Sequence, residues 1–499
     1  MAPRLQELVN VLDPIRVEGL LDREVTGIAF DSRRVFPGML FVAVTGRRCD
    51  GHDHISAAID RGACGVVCER NGFTSRRAAR IRVPDSRLAL ARVAAAFYGY
   101  PSRALRVVGV TGTNGKTTVS FLLQHILERA GQRAGLIGTV RYELGDRTIP
   151  AQRTTPESAE LQAMMAQMLR AQCVACVLEV SSHGLDQRRV EEVDFDVGVF
   201  TNLTHDHLDY HGSLEGYHRT KRRLFELLER GIKPATAVIN QDDPAGGRML
   251  REWQGTRHLT FGLGESAGVG AVELKLGPGG SAFQLVTSQG RWSCRLPLIG
   301  RFNVYNALAA AAAGLALELP PATVVDALNT APQVPGRLER IDAGQPFAVL
   351  VDYAHTEDAL RNVLSTLREV TTGRLRVAFG CGGGRDPAKR EPMGRVAGEL
   401  ADEVLVTSDN PRQEVPASIA AAIEGGLRQA GGARWRLELD RARAIEELLR
   451  SARAGDTVLV AGKGHESYQE FEDTVVPFDD RLHAAQALEA LGYGPRRTG

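Results

Sequence analysis

The chain has 499 residues, with 61 Lys and Arg against 60 Asp and Glu and a net charge of +1. Near-neutrality excludes an electrostatic argument for nucleic acid or an acidic membrane surface, so any affinity for anions must be local. No apolar run approaches the ~20 residues needed to span a bilayer, and the first residues lack the basic-then-apolar form of a signal peptide. Seven cysteines, an odd number scattered over the chain, complete the expectation of a soluble, cytoplasmic protein with reduced thiols.

The length suits about three domains of roughly 150 residues each. From Val25 to about Gly99, short apolar runs at 27–30, 39–44 and 65–68 alternate with turns and helix-like stretches. This predicts a small α/β domain ending near Tyr100-Pro101. From Leu105 to about Ala331, strand-like runs at 106–110, 174–180, 197–203 and 235–240 alternate with helical periodicity, the pattern of a βαβ sheet. Cys173 and Cys176 have the spacing of half a zinc site, but no second pair follows and their surroundings are apolar, so both are expected in the core. The alanine-rich segment 306–319 is apolar on most sides and predicts a buried helix. Pro320-Pro321 and the stretch from Pro332 to Pro335 punctuate the way out of this part.

The first of these central strands leads into Thr111-Gly112-Thr113-Asn114-Gly115-Lys116-Thr117-Thr118, before a helix expected from near Val119. A glycine-rich turn in that place reads as a phosphate cradle. Small residues let successive N–H groups turn toward an anion, the helix N-terminus adds partial positive charge, and Lys116 supplies a full one. Thr117 is then placed to bind magnesium. The strict G-x-x-x-x-G-K-[ST] pattern wants glycine at 110, where this chain has Val110. Two more polar clusters end neighbouring strands: Glu179 to His183, and Asn202 to His211. The carboxylate of Glu179 and the imidazole of His205 at such tips suit a divalent metal bridging nucleotide and substrate oxygens. His207 and His211 are expected to be structural, hydrogen-bonded histidines.

A third α/β unit follows Arg337, with strands expected at 348–351, 375–380, 403–407 and 457–461. Each ends in a polar or glycine-rich cluster: 352–356, 381–386, 408–412 and 462–466. In an open parallel sheet, ligands bind beyond the carboxyl ends of the strands, so four such clusters predict one shared pocket.

Taken together, TGTNGKTT (111–118), EVSSHGL (179–185), TNLTHDHLDYHG (201–212), the lysine after YHGSLEGYHRT, LIGRFNVYNALAA (298–310), PGRLE (335–339), VDYAHT (351–356), DNPR (409–412) and AGKGHE (461–466) strongly resemble the Mur ligases of peptidoglycan synthesis. The resemblance runs over nearly the whole chain, in the family's order, and Val110 is no departure from that family's loop. It is closest to the members that add the third peptide residue to UDP-N-acetylmuramoyl-L-alanyl-D-glutamate. It implies an α/β fold in three domains: a UDP-binding N-terminal domain at 1–100, a central P-loop ATPase-like domain with a parallel or mixed sheet at 101–336, and a C-terminal Rossmann-like domain at 337–499 that receives the amino acid.

The implied chemistry activates a carboxylate. The D-glutamyl γ-carboxylate attacks the γ-phosphate of ATP, an acyl phosphate forms, and the amine of the incoming residue displaces phosphate, so catalysis is mostly positioning and neutralisation of crowded anions. By resemblance, Lys116 holds the β- and γ-phosphates, Thr117 and Glu179 one magnesium, and Glu179 with His205 a second. Lys221, which by itself reads as a solvated lysine at the start of an amphipathic helix, is by resemblance a carbamate made with carbon dioxide that ligates or orients the second magnesium. ATP is implied at Gly112, Thr113, Asn114, Gly115, Lys116, Thr117 and Thr118, with Asn306, Arg337, Asp352 and His355 as neighbours of the adenine, phosphates and ribose. Ser32 and Arg47 are implied at the uridine diphosphate; Thr154, Thr155, Ser181, Gln187 and Arg189 at the muramoyl dipeptide.

Diaminopimelate differs from lysine by a carboxylate at its far end, so a selective pocket needs a fixed cation. An arginine fork meets a carboxylate through two parallel hydrogen bonds. Asp409-Asn410-Pro411-Arg412 supplies one on a rigid turn and matches the motif of meso-diaminopimelate enzymes; Arg385, Gly462 and Glu466 match their remaining contacts. The implied partners are therefore ATP, the nucleotide-sugar dipeptide and meso-diaminopimelate, with no nucleic acid, no membrane insertion and a monomeric chain. A lysine-adding enzyme of the same family and a folylpolyglutamate synthase-like ligase share the loop and the acyl-phosphate chemistry. An ATP-dependent regulatory switch is the rival from another class. Phosphate release that needs both the nucleotide-sugar dipeptide and an amino acid discriminates them.

Overall fold

The computed structural model describes residues 2–46, 49–70, 73, 75–204, 206 and 208–494. The chain forms two compact units, residues 1–262 with 309–324, and residues 263–308 with 325–499.

The first unit contains two sheets. Strands β1 (Arg16–Glu18), β2 (Ile28–Ala29), β3 (Leu40–Val42), β4 (Gly65–Cys68) and β5 (Ala79–Arg82) form a five-stranded sheet in the order β1-β5-β4-β3-β2. Only β1 runs antiparallel to its neighbour. All four residues of β4 are buried, as expected of a parallel strand covered on both faces, which reads as a continuous apolar run rather than an alternating one. Leu90, Val93 and Ala94 of the Ser86–Phe97 helix pack into one core, and Ile55 and Ala58 of the Ile55–Asp60 helix into another.

The second sheet is built on β6 (Arg106–Thr111), β7 (Ala134–Ile137), β8 (Arg141–Glu143), β9 (Thr148–Pro150), β10 (Ala175–Glu179), β11 (Val197–Phe200), β12 (Thr236–Asn240) and β13 (His258–Leu263). Its order is β13-β12-β11-β6-β10-β7-β8-β9. β6 lies between β11 and β10, parallel to both, and the chain leaves it for β7 on one side and later for β12 on the other. That reversal is a topological switch point, where the carboxyl ends of an open sheet splay into a crevice. The register opposes Glu179 to Val110 and Phe200 to Thr111, so the ends of β10 and β11 flank the glycine-rich loop. Cys173 and Cys176 are core residues.

The second unit holds a meander that sequence patterning did not announce: β14 (Val269–Gly277), β15 (Gly280–Thr287) and β16 (Gly290–Leu296), antiparallel throughout. Phe283 and Leu285 are buried while Gln284 between them is not, an alternating signature that the surrounding turn residues obscure. The main sheet comprises β17 (Glu339–Arg340), β18 (Ala348–Asp352), β19 (Leu375–Phe379), β20 (Glu403–Val406), β21 (Arg434–Leu437) and β22 (Thr457–Ala461), in the order β17-β18-β22-β19-β20-β21. All of its pairs except β17 with β18 are parallel. Helices Glu357–Val370, Arg390–Leu400 and Pro416–Ala430 cover one face; Arg441–Ser451 and Asp480–Ala490 cover the other. The four strands expected from the sequence, β18, β22, β19 and β20, are adjacent, which brings their terminal clusters side by side. A hairpin, β23 (Tyr468–Phe471) with β24 (Thr474–Pro477), completes the unit.

The alanine-rich helix spans Arg301–Ala316, and Ala307 through Ala313 are fully buried. Among the described residues, no helix is long and apolar enough to cross a membrane.

Candidate active site

In the first unit the glycine-rich loop is shaped by the absence of side chains. Gly112 has φ +148°, and a Cβ there would lie 1.9 Å from Thr201 Oγ1. Gly115, at φ +87°, starts the helix, which begins at Lys116 rather than near Val119. Lys116, Thr117 and Thr118 thus occupy its first turn, where N–H groups have no intrahelical partner and face an incoming anion. The segment that follows β11 secures the loop: Thr113 N–H donates to Asn202 O (2.9 Å) and Asn114 N–H to Asn202 Oδ1 (2.9 Å). Thr201 Oγ1 donates to Asn114 O at 2.6 Å. Lys116 Nζ donates to Gly112 O (2.9 Å) and Thr113 O (2.8 Å).

Glu179 is fully buried at the tip of β10. Its Oε2 accepts from Thr117 Oγ1 at 3.1 Å and from Thr139 Oγ1 at 2.8 Å, and its Oε1 accepts from Thr139 N–H at 2.9 Å. Gly138 makes room for it, because a Cβ there would lie 2.2 Å from Glu179 Oε1. A buried carboxylate satisfied by hydroxyls and a backbone N–H stays available as an oxygen ligand.

Lys221 departs from the expectation of a solvated lysine at a helix start. The helix begins at Leu214, and Lys221 lies within it, only 1% exposed. Its Nζ donates to Gly112 O at 2.7 Å and stands 4.3 Å from the Tyr217 ring centre. Lys116 and Lys221 therefore converge on one carbonyl oxygen. Burial, with the Lys116 charge adding to it, drives the Lys221 amine well below the ordinary lysine range, Asp206 opposing only in part. His211 behaves as a structural residue, at 3.0 Å from Ser182 Oγ and stacked on Tyr217. His205, His207 and Arg47 lie outside the described residues.

The residues assigned to the dipeptide form one network with this centre. Thr154 Oγ1 and Thr139 Oγ1 are 3.1 Å apart; Thr155 Oγ1 donates to Glu179 O at 2.7 Å and accepts from Ser181 N–H at 3.0 Å. Arg189 donates to Thr155 O (2.8 Å) and Gln187 Oε1 (2.7 Å), and pairs with Glu157 at 3.0 Å. Ser32 stands apart from them, opening the Ser32–Arg34 turn after β2, where Asp31 caps Arg33 N–H at 3.0 Å.

In the second unit the four strand ends meet. Gly462 N–H donates to Asp352 O at 3.1 Å, a Cβ on Gly462 would lie 2.8 Å from Asp409 Oδ2, and Gly383 N–H donates to Asn410 O at 2.9 Å. Asp352 accepts from Leu338 N–H (2.7 Å) and Ala354 N–H (2.8 Å). Burial raises its carboxyl, against the pull of Arg337. The Arg337 guanidinium lies 4.6 Å from the Tyr353 ring centre. His355 is exposed, its Nδ1 2.9 Å from Tyr353 O. Asn306 Nδ2 donates to Asn303 Oδ1 at 3.0 Å. Arg385 is exposed, 3.9 Å by its Cγ from where a Gly382 Cβ would sit.

Arg412 carries φ +53°, a left-handed conformation that costs an L side chain roughly 1–2 kcal/mol. The unforeseen hairpin holds it there: Arg412 N–H donates to Glu470 O (2.9 Å) and Glu472 N–H to Arg412 O (2.7 Å). Its Nε donates to Glu470 Oε2 at 2.8 Å and its Nη1 to Gly383 O at 2.7 Å. Asn410 Nδ2 donates to Glu466 Oε2 at 2.9 Å, while Asn410 Oδ1 accepts from Lys463 Nζ (3.1 Å) and Glu470 N–H (3.1 Å). Beneath, the buried Arg441 pairs with Asp480 at 2.7 Å and donates to Ser408 O (3.3 Å) and Ala461 O (2.9 Å), tying the ends of β20 and β22 together. Sequence reasoning missed Thr139, Asn202, Lys463, Glu470 and Arg441. Of these, Asn202 and Lys463 sit within motifs noticed for their ligand contacts, but neither was singled out within them.

Three family models match: the Mur ligase family catalytic domain over residues 24–98, the Mur ligase middle domain over 110–314, and the Mur ligase glutamate ligase domain over 336–464. The chain is 45% identical to the UDP-N-acetylmuramoyl-L-alanyl-D-glutamate–2,6-diaminopimelate ligase of Geobacter metallireducens, covering 98% of this chain and 99% of that one. It is 44% identical to the ligase of the same name from Syntrophomonas wolfei, covering 97% and 99%. A solved structure of a ligase of that name superposes with a TM-score of 0.71 at 34% identity, covering 99% of this chain and all of the other. With the phosphate loop, its buried carboxylate and the four joined strand ends in place, the chain belongs to the Mur ligase family.

Proposed function

We propose that the chain ligates meso-2,6-diaminopimelate to the D-glutamyl γ-carboxylate of UDP-N-acetylmuramoyl-L-alanyl-D-glutamate, consuming ATP and releasing ADP and phosphate through an acyl phosphate. The observation that carries this reading is the identity of 45% and 44% to ligases so named, over 98% and 97% of the chain. The reading divides the chain into a UDP-binding part (1–100), an ATP-binding part (101–336) and an amino-acid-binding part (337–499), and three successive family models, over 24–98, 110–314 and 336–464, support a three-part organisation. A soluble nucleotide-sugar substrate and ATP suit the cytoplasm.

Lys116 holds the β- and γ-phosphates, with the N–H groups of the loop and first helical turn around them. Thr117 Oγ1 and the Glu179 carboxylate, 3.1 Å apart, are hard oxygen donors of the kind magnesium takes when phosphates supply the remaining ligands. His205 joins Glu179 in a second such site. Thr117, Glu179 and His205 would hold magnesium there, and the metal would supply neutralisation of phosphate charge.

Lys221 becomes a carbamate: its neutral amine adds to carbon dioxide, a C–N bond forms and one proton is lost to solvent. Burial and the neighbouring Lys116, which reaches the same carbonyl oxygen, disfavour the protonated form of Lys221 and leave the amine that this addition needs. Thr154, Thr155, Ser181, Gln187 and Arg189 hold the dipeptide, and Ser32 and Arg47 the uridine diphosphate. Asn306, Arg337, Asp352 and His355 neighbour the nucleotide. Arg385, Asp409, Asn410, Pro411, Arg412, Gly462 and Glu466 hold diaminopimelate, Arg412 meeting its distal carboxylate and Glu466 its distal ammonium. Phosphate release tests the reading: it is expected only with ATP, the nucleotide-sugar dipeptide and diaminopimelate together. Release without an amino acid, or equal turnover with lysine, refutes it.

A further inference from the structure

Lys463 is a fully buried ammonium with no role in the reading above. Its Nζ lies 3.2 Å from Glu466 Oε2 and 3.1 Å from Asn410 Oδ1, and 5.3 Å from the centre of the Tyr468 ring. An ammonium only donates, so it turns the amide oxygen of Asn410 toward itself and the amide NH2 toward Glu466. Asn410 Oδ1 also takes the N–H of Glu470, whose carboxylate holds Arg412. One buried cation thus anchors both arms of the cluster, the Glu466 arm and the Asn410–Glu470–Arg412 arm.

Glu466 is paired with Lys463 and Glu470 with Arg412, and the buried Asp409 carboxylate lies beside Gly462. A chain end that carries both an ammonium and a carboxylate adds no net charge to such a wall. A lone ammonium adds an uncompensated cation near Lys463, in a medium where charges are poorly screened. We propose that Lys463 is a specificity-determining residue, whose buried charge makes the amino-acid site prefer a zwitterionic chain end over a lone ammonium.

This inference rests on the ligase reading, deepening how that site chooses its amine. Its test compares kcat/KM for lysine and for meso-diaminopimelate in the wild type, in Lys463→Met, which removes charge and donor, and in Lys463→Gln, which removes the charge but keeps a donor for Asn410. Both variants are expected to raise the lysine-to-diaminopimelate ratio by about tenfold or more, with KM for ATP unchanged. An unchanged ratio in the glutamine variant overturns the proposal, whether or not the methionine variant folds, because charge is then not what discriminates. A wild type that releases no phosphate with diaminopimelate refutes the ligase reading instead, and the two failures are distinct.

Discussion

The phosphate loop of the first unit and the strand-end cluster of the second meet their ligands with opposite charge strategies. Around Gly112 two lysines, Lys116 and Lys221, reach a single carbonyl oxygen, so like side chains crowd one point of the loop and burial holds the Lys221 amine well below the ordinary lysine range. At the strand ends, cations are already matched to carboxylates: Lys463 to Glu466, Arg412 to Glu470, and Arg441 to Asp480 below. The first arrangement suits a nucleotide triphosphate with several negative charges; the second suits an amino acid with a zwitterionic end. The geometry differs too. The loop is specified by backbone and by missing side chains, the cluster by long side chains fixed on one another.

Adding one methyl group to the loop is the strongest way to break this contrast. Gly112→Ala places a Cβ where Thr201 Oγ1 stands at 1.9 Å, at a φ that L side chains rarely adopt. The carbonyl that both lysines share must then move. Phosphate release is expected to fall by about a hundredfold or more, as displacement of reacting groups by about 1 Å costs, while circular dichroism still reports a folded chain. Retention of a tenth of wild-type activity contradicts a backbone-specified loop.

The cluster yields more selectively. Arg412→Ala removes one member of a matched pair, leaving Glu470 uncompensated, and takes away the fork proposed for the distal carboxylate. A loss of about 2–3 kcal/mol, or roughly a hundredfold, is expected in kcat/KM for diaminopimelate, with KM for ATP within about twofold of wild type. Kinetics with each substrate varied in turn check this; a parallel rise in both KM values shows instead that the arginine supports the unit as a whole.

The same contrast governs what is legible in the amino-acid sequence. A phosphate loop advertises itself locally: glycines, lysine and threonine are contiguous, and β6, β18, β19, β20 and β22 are apolar runs whose ends the residue pattern locates within a residue or so. Lys221 stands out in its motif, but its burial does not. The helix starts at Leu214, seven residues earlier than a reading that opens it at Lys221, and what covers the lysine comes from Gly112, 109 residues away. Lys463 between two glycines looks like a solvated turn; Asn410 and Glu470, which give it and Arg412 their surroundings, come from a distant loop and from the hairpin. That hairpin has no apolar alternation to announce it, since all four residues of β24 are exposed. Local backbone chemistry is legible from a sequence, and long-range charge pairing is not.

The smallest expected effect concerns pH, and it is expected at the loop and not at the strand-end cluster. Lys221 has its amine depressed by burial and by Lys116, whereas in the unfolded chain it titrates near 10.4. Between its depressed folded value and about 10.4, the unfolded chain binds more protons than the folded one, so stability rises with pH across that window. Below the folded value, both states carry the charge and the buried cation destabilises the fold to its full extent. Lys221→Met removes this contribution, so denaturant midpoints taken from pH 7 upward are expected to rise less steeply than in the wild type. Each midpoint is compared at fixed ionic strength, and in carbon-dioxide-free buffer to keep the amine unmodified. Identical slopes for the two proteins contradict a depressed Lys221, and with it the neutral amine that carbamate formation needs. Arg412→Ala, in the other unit, is expected to leave the slope unchanged, so an altered slope there means that the strand-end cluster shares in the titration.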